Sequence, residues 1–289
     1  MQTKPKPSHH SAAYGAWFQD PLISQAYPHR PPYPDDVFSL LASLVVPVTG
    51  DGDDGGAVLD LGAGTGDLAR RLVALAPPVG PVTRVDAVDA SVAMMERGRA
   101  LPGGEHPQLR WILGLAEAAP LAPPYGLATA GESLHWMDWE VVLPRVAQAL
   151  APAAVLAIVS RNWDRPPALM ARLVPIFTRY SPVRDYQPYD LIAELTSRGL
   201  FTEVGRRRCG PMPWTPTVAE YLECRHSQRG ASRTHMGAAA VAAFDQEIAQ
   251  VLAELCRDGT LAERDGRLQL EVTASIVWGR PVLPRPAHA

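Results

Sequence analysis

The chain has 289 residues, 47% of them hydrophobic and 20% charged, a composition that suits a globular protein long enough to bury a full core. A formal charge of −3 argues against a nucleic-acid binder, which needs a basic surplus to neutralise phosphates. Three scattered cysteines, Cys209, Cys224 and Cys256, offer neither a disulfide framework nor zinc-ligand spacing, and no apolar run approaches the roughly 20 residues that span a bilayer.

The opening MQTKPKPSHH lacks the apolar centre of a signal peptide, so a soluble cytoplasmic protein is expected. Residues 1–13 read as a disordered lead-in, and 14–289 as a single domain. The stretch AYGAWFQDPLISQAYPHRPPYP mixes aromatic residues with prolines that keep helices short. DDVFSLLASLVV, from Asp35 to Val46, has acidic residues where a helix dipole is positive; together these stretches predict a helical strap over 14–46. TGDGDDGG is a turn-rich loop. From residue 57, short apolar runs alternate with helical patterns, which predicts parallel strands joined by crossover helices. Strands are expected at about 57–61, 83–88, 109–113, 125–130 and 153–160, with helices over Asp67–Leu75, Ser91–Ala100 and Trp139–Leu150. Beyond Ser160, PALMARLVPIFTRY and DLIAELTSRG predict helices and LFTEVGRRR a strand. AAAVAAFDQEIAQVLAELCRDG predicts a long helix ending at Gly259, and RLQLEVTASIVW alternates as a late strand. The last two strands thus flank a helical cap over about 210–262. There is no internal repeat.

The chemistry concentrates first in VLDLGAGTG. A strand ending at Asp60 and Leu61 runs through Gly62, Ala63, Gly64, Thr65 and Gly66 into a helix, which lets backbone approach a ligand above the strand ends. A phosphate loop would need Lys and then Ser or Thr after the glycines, and Asp67 and Leu68 follow instead. A dinucleotide fingerprint would need a third glycine one place later. Asp60 and Asp67 would repel a pyrophosphate and attract the ammonium and sulfonium of S-adenosylmethionine. Asp89 in VDAVDAS follows the turn at the distance suited to holding two ribose hydroxyls, with helix capping as the competing role. Met94 and Met95 are core residues or a surface for adenine.

VLDLGAGTG, VDAVDAS, GLAEAAPL and SLHWMDWEVVLPRVAQALAPAAVLAIV, with YPHRPPYP upstream, cover roughly residues 27–160. In these blocks the chain resembles class I S-adenosylmethionine-dependent methyltransferases, and more narrowly the small-molecule group that includes trans-aconitate and juvenile-hormone-acid methyltransferases. The resemblance implies an α/β, Rossmann-like sheet of seven strands in the order 3-2-1-4-5-7-6, with S-adenosylmethionine over strands 1 and 2 and S-adenosylhomocysteine as product. It implies that Asp60, Gly62, Ala63, Gly64, Thr65 and Gly66 surround the methionine moiety and that Asp89 and Ala90 meet the ribose. Ala116 and Glu117 would lie beside the adenine, and Tyr27 and Arg30 would close over the cofactor carboxylate. Leu115 departs from the pattern, since relatives often have an Asp there that accepts from adenine.

In SLHWMDW, His135 is a candidate base or substrate contact, Trp136 a substrate wall, and Trp139 a further apolar contact. A carboxylate acceptor, already ionised at neutral pH, needs no base, whereas a hydroxyl does. Arg225, Arg229 and Arg233 are spaced by four and on one helix would share a face, where Arg225 and Arg229 could clamp a carboxylate. The ordinary alternative is a solvated face. His226 and His235 are lesser candidates for a base. No metal is expected. Three functions stay open: methyl transfer to a small-molecule oxygen, binding of the same nucleoside without methylation, and nicotinamide-dependent redox chemistry.

Overall fold

The computed structural model describes residues 5–48, 55–76, 80–164 and 166–283. Seven strands form one sheet: β1 (Gly56–Leu61), β2 (Val82–Asp89), β3 (Leu109–Leu113), β4 (Leu127–Gly131), β5 (Leu156–Asp164), β6 (Phe201–Trp214) and β7 (Leu270–Pro281). Their order is the expected 3-2-1-4-5-7-6. The first five run parallel, and β7 runs antiparallel between β5 and β6. Every residue of the central β1 is buried, as a strand covered by helices on both faces must be. Val58 enters the core on one face, whereas Ala57, Leu59 and Leu61 enter the core on the other.

The strap is built from α1 (Ala12–Gly15), α2 (Pro21–Ala26) and α3 (Asp35–Leu44), short because prolines interrupt them. Crossover helices α4 (Ala69–Val73), α5 (Val92–Arg99) and α6 (Trp139–Ala149) lie within the ranges predicted from sequence. Ser91 and Asp138 cap α5 and α6 by accepting from the backbone N–H groups of Met94 and Glu140. Two helices follow, α7 (Pro167–Tyr180) and α8 (Leu191–Ser197). Between β6 and β7 stand α9 (Val218–His226), α10 (Arg233–Met236), the long α11 (Ala238–Arg257) and a small hairpin pairing Glu263–Arg264 with Arg267–Leu268. The helix α7 packs with this cap, because Leu169, Leu173 and Ile176 share one core with Phe244, Ile248 and Leu252 of α11.

Two expectations change here. Residues 5–13, expected to be disordered, hold a 3-10 turn at Ser8–His10 with His9 buried. The Ser8 hydroxyl donates to Asp185, and His10 packs on His135 with ring centroids 4.8 Å apart, a partner far along the chain that composition cannot reveal. Arg225, Arg229 and Arg233 do not share one helix, which was the condition for their sharing a face. α9 ends at His226, where His226 Nδ1 meets the Ala231 carbonyl and Nε2 meets Asp245, each at 2.7 Å. Residues 1–4 of the lead-in and 49–54 of the loop predicted from TGDGDDGG lie outside the described residues.

Candidate active site

The carboxyl ends of the first four strands converge beneath the strap, where a cavity of about 320 Å³ opens between them. Its floor is the glycine turn. Gly62 has φ +63°, and a Cβ there would come within 2.5 Å of the Ser133 Cβ, so the close approach of β1 and β4 admits no side chain. A Cβ on Gly64 would lie 3.6 Å from the Tyr27 hydroxyl, which places the strap tyrosine over the turn. Thr65 is wholly buried with its hydroxyl on Asp67, and Ala63 faces a narrow gap beside the main cavity.

Asp89 ends β2 and is held from two directions. Its Oδ2 accepts from the Gly64 N–H and its Oδ1 from the Ser91 N–H, both at 2.7 Å. Each oxygen keeps further acceptor capacity, and the carboxylate lines the cavity with Ala90. Burial raises the Asp89 pKa above the usual carboxylate range. Met94, Leu115 and Ala116 supply an apolar wall on that side. Glu117 also lines the cavity, but its Oε1 accepts from the Asp138 N–H at 2.7 Å and so tethers the start of α6. The strap roof is tied down locally, since Gln19 donates to the Ala90 carbonyl at 2.6 Å and the Ser91 hydroxyl to the Phe18 carbonyl at 2.8 Å. Trp136 closes the mouth, 5.6 Å from the Phe18 ring centroid.

The charge argument built on Asp60 and Asp67 needs revision. Burial pushes the Asp60 carboxyl up to about 7, opposed by the Thr129 hydroxyl that donates to it at 2.7 Å. Asp67 is paired with Arg161 at 3.2 Å and Arg70 at 3.4 Å. Neither lines the main cavity. Among the described residues its lining nevertheless carries three carboxylates, Asp89, Glu117 and Glu132, and no basic side chain. Glu132 was missed in the sequence reading. The signal was a carboxylate at the carboxyl end of a strand, since Glu132 directly follows β4 much as Asp89 closes β2. Glu132 adopts φ +55°, uncommon for a side-chain-bearing residue, and its carboxylate accepts from the Arg161 N–H.

Several predicted residues lie elsewhere. His135 is outside the lining; burial first, then neighbouring His10, Arg229 and Lys6, push its pKa down to about 3, so at neutral pH it is a poor proton acceptor. Trp139 is buried, donates to the Leu134 carbonyl at 2.8 Å and stacks on Tyr189. The arginines of the supposed clamp diverge. Arg225 turns inward with its guanidinium 4.0 Å from the Phe177 ring, and Arg229 lies over Trp136 at 4.7 Å and donates to the His9 carbonyl. Arg233 pairs with Glu223 at 2.6 Å, and the His235 ring stacks on Trp17 at 3.6 Å. Arg30 stacks on Tyr27 at 4.0 Å but lines a second chamber, where it fastens strap to cap through Ser227.

Residues 58–153 match the family model of a methyltransferase domain. A trans-aconitate 2-methyltransferase of Azoarcus sp. (strain BH72) is 35% identical over 126 residues, 43% of this chain and 46% of that protein. One of Paracidovorax citrulli is 37% identical over 159 residues, 48% of this chain and 56% of that protein. The chain thus spans about half the length of the curated relatives it matches. A solved structure titled a putative type II methyltransferase, from Anaeromyxobacter dehalogenans, covers 89% of this chain and 99% of its own at a TM-score of 0.58 and 23% identity, a likeness of fold. Among the described residues no helix is long and apolar enough to cross a membrane.

Proposed function

We propose, on the premise that residues 58–153 form a class I methyltransferase domain, that this chain carries a methyl group from S-adenosylmethionine to an oxygen of a small-molecule acceptor. The observation that carries the reading is the acidic cavity itself: Asp89 fixed at the end of β2, beside a backbone turn, under a strap. Its volume falls in the range that encloses a nucleoside-sized ligand, and its three carboxylates with no opposing base favour a cationic one.

The bound nucleoside supplies a methyl group on a positively charged sulfur, open to displacement from the side opposite the sulfur. Asp89 accepts from the ribose hydroxyls while keeping its two backbone contacts, a charge-assisted arrangement. Leu115, Ala116 and Met94 cover the base, and Leu115, which cannot accept a hydrogen bond, contributes apolar contact only. Tyr27 and the Gly62–Gly64 backbone enclose the amino-acid end, with Asp60 beneath. Trp136 and Phe18, both in the cavity lining, would shield the bound nucleoside from water. Orientation and dryness of this kind are worth roughly 7 to 11 kcal/mol of barrier, so no base is required for an acceptor that arrives ionised. The relatives bearing the name trans-aconitate 2-methyltransferase support an oxygen acceptor of that sort.

Calorimetric titration with S-adenosylhomocysteine tests the reading. Wild type is expected to bind, and Asp89→Ala to bind about 1.5–3 kcal/mol more weakly through loss of charge-assisted ribose bonds. No heat with wild type would sink the proposal, and unchanged affinity in the variant would remove Asp89 from the site.

A further inference from the structure

Glu132 stands where two chambers meet. One is the acidic cavity; the other, of about 480 Å³, has Arg30 from the strap, Arg161 from β5 and Arg208 from β6 in its walls. The side chain is aimed by β5. Past the last paired residues of β4 and β5, Gly131 and Val159, the Glu132 N–H donates to the Val159 carbonyl at 3.0 Å and the Glu132 carboxylate accepts from the Arg161 N–H. Contacts with one strand thus fix both backbone and side chain of a residue whose φ of +55° suits asparagine or glycine better than glutamate. Burial raises its carboxyl above the usual range, while the Arg161 N–H and the guanidinium groups of Arg161 and Arg30 act to keep it ionised.

The three carboxylates of the acidic cavity are not equivalent. Asp89 closes β2, and Glu117 is tied to the Asp138 N–H at 2.7 Å. Glu132 follows β4, and β1 with its glycine turn lies between β2 and β4. Glu132 therefore faces the cavity from across the turn. The covalent order of S-adenosylmethionine puts sulfur between the ribose, which falls to Asp89, and the amino-acid end, which falls to the turn. We infer that the Glu132 carboxylate recognises the positive charge on that sulfur and so distinguishes S-adenosylmethionine from S-adenosylhomocysteine, whose sulfur is neutral. One unit charge facing another in a partly desolvated site is worth about a factor of ten or more in affinity. An attraction that is present before displacement and fades as charge leaves the sulfur contributes to affinity and not to rate. Its loss on methyl transfer eases release of the product.

This inference rests on the methyl-transfer reading, and its test compares two ligands that differ only at sulfur. Wild type, Glu132→Gln and Glu132→Gly are titrated calorimetrically with S-adenosylmethionine and with S-adenosylhomocysteine. Glu132→Gln keeps the shape, and Glu132→Gly relieves the positive φ, so one of the two stays folded even if the other does not; melting curves identify it. In either variant the affinity for S-adenosylmethionine relative to S-adenosylhomocysteine should fall roughly 5- to 30-fold, with S-adenosylhomocysteine itself changed by less than about threefold. Glu117→Gln should alter the ratio by less than about twofold, because Glu117 is committed elsewhere. A ratio that stays within threefold of wild type in the folded variant overturns the inference. So does equal weakening of both ligands, which would pair Glu132 with the ammonium they share, or an equal fall in Glu117→Gln, which would assign the effect to the cavity as a whole. Failure of S-adenosylhomocysteine to bind wild type would instead overturn the reading beneath it.

Discussion

The two chambers that meet at Glu132 differ in charge and in how they are assembled. The first is acidic and is built mainly from strand ends, where Asp89 is aimed by Gly64 and Ser91 and the turn by its own glycines. The second is basic and draws each wall from a different part of the chain, so that Arg30 is fixed by Ser227, 197 residues away. Local backbone geometry suffices to present a carboxylate at a strand end. Long flexible cations take their direction from whatever packs beside them. That is why Arg225 and Arg229, set four apart, end on Phe177 and on Trp136 respectively.

The contrast can be broken most severely at Gly62. Gly62→Ala places a methyl group against Ser133 at a positive φ, and is expected to destabilise the protein by about 2–4 kcal/mol, with S-adenosylhomocysteine affinity falling by two orders of magnitude or so. Melting curves and calorimetry check this; a fully stable variant with wild-type affinity would show that the turn is not the floor of the first chamber.

A second test concerns the roof. Residues 5–11 dock beside Trp136 through His9 and His10, which face His135, Arg229 and Asp185, with Lys6 of the same segment nearby. Burial pushes the His10 pKa down to about 4 and that of His135 to about 3. Below the ordinary histidine value near 6.5, the undocked segment binds more protons than the docked one, so docking is at full strength above that pH and weakens as pH falls toward 4. Hydrogen exchange of residues 5–11 between pH 7 and 4 should show protection lost over this window. Protection that persists to pH 4 would place the imidazoles elsewhere.

The smallest effect is expected at His135. A working general base contributes about 10²- to 10⁴-fold, and His135→Asn should change kcat by less than about threefold on an identified acceptor. A hundredfold loss would restore it to the chemistry and argue for a hydroxyl acceptor.

Much of the fold was legible because its signals are local. Apolar runs marked the five parallel strands to within a few residues, and alternation marked β7. The glycine turn and Asp89 were legible for the same reason, since a strand end and a backbone conformation are properties of a few consecutive residues. Trp139 shows where this stops. Three positions after Trp136 in the same motif, it sits at the start of α6 and is carried into the core. Glu132 could have been found by the rule that found Asp89, whereas nothing adjacent to Arg161 or Arg208 points to a shared chamber.

Sequence by itself determined the order of elements and a glycine turn paired with a carboxylate at a strand end, because hydrophobic period, chain reversal and backbone freedom act over a few residues; the order of the seven strands came with the family resemblance. Only the tertiary structure decided that the lead-in folds onto the roof, that the cap's arginines turn away from one another, and that three others gather beyond Glu132. Those side chains are long and charged, and their positions follow from packing partners as far as 220 residues distant, between Arg229 and His9, which no local pattern encodes.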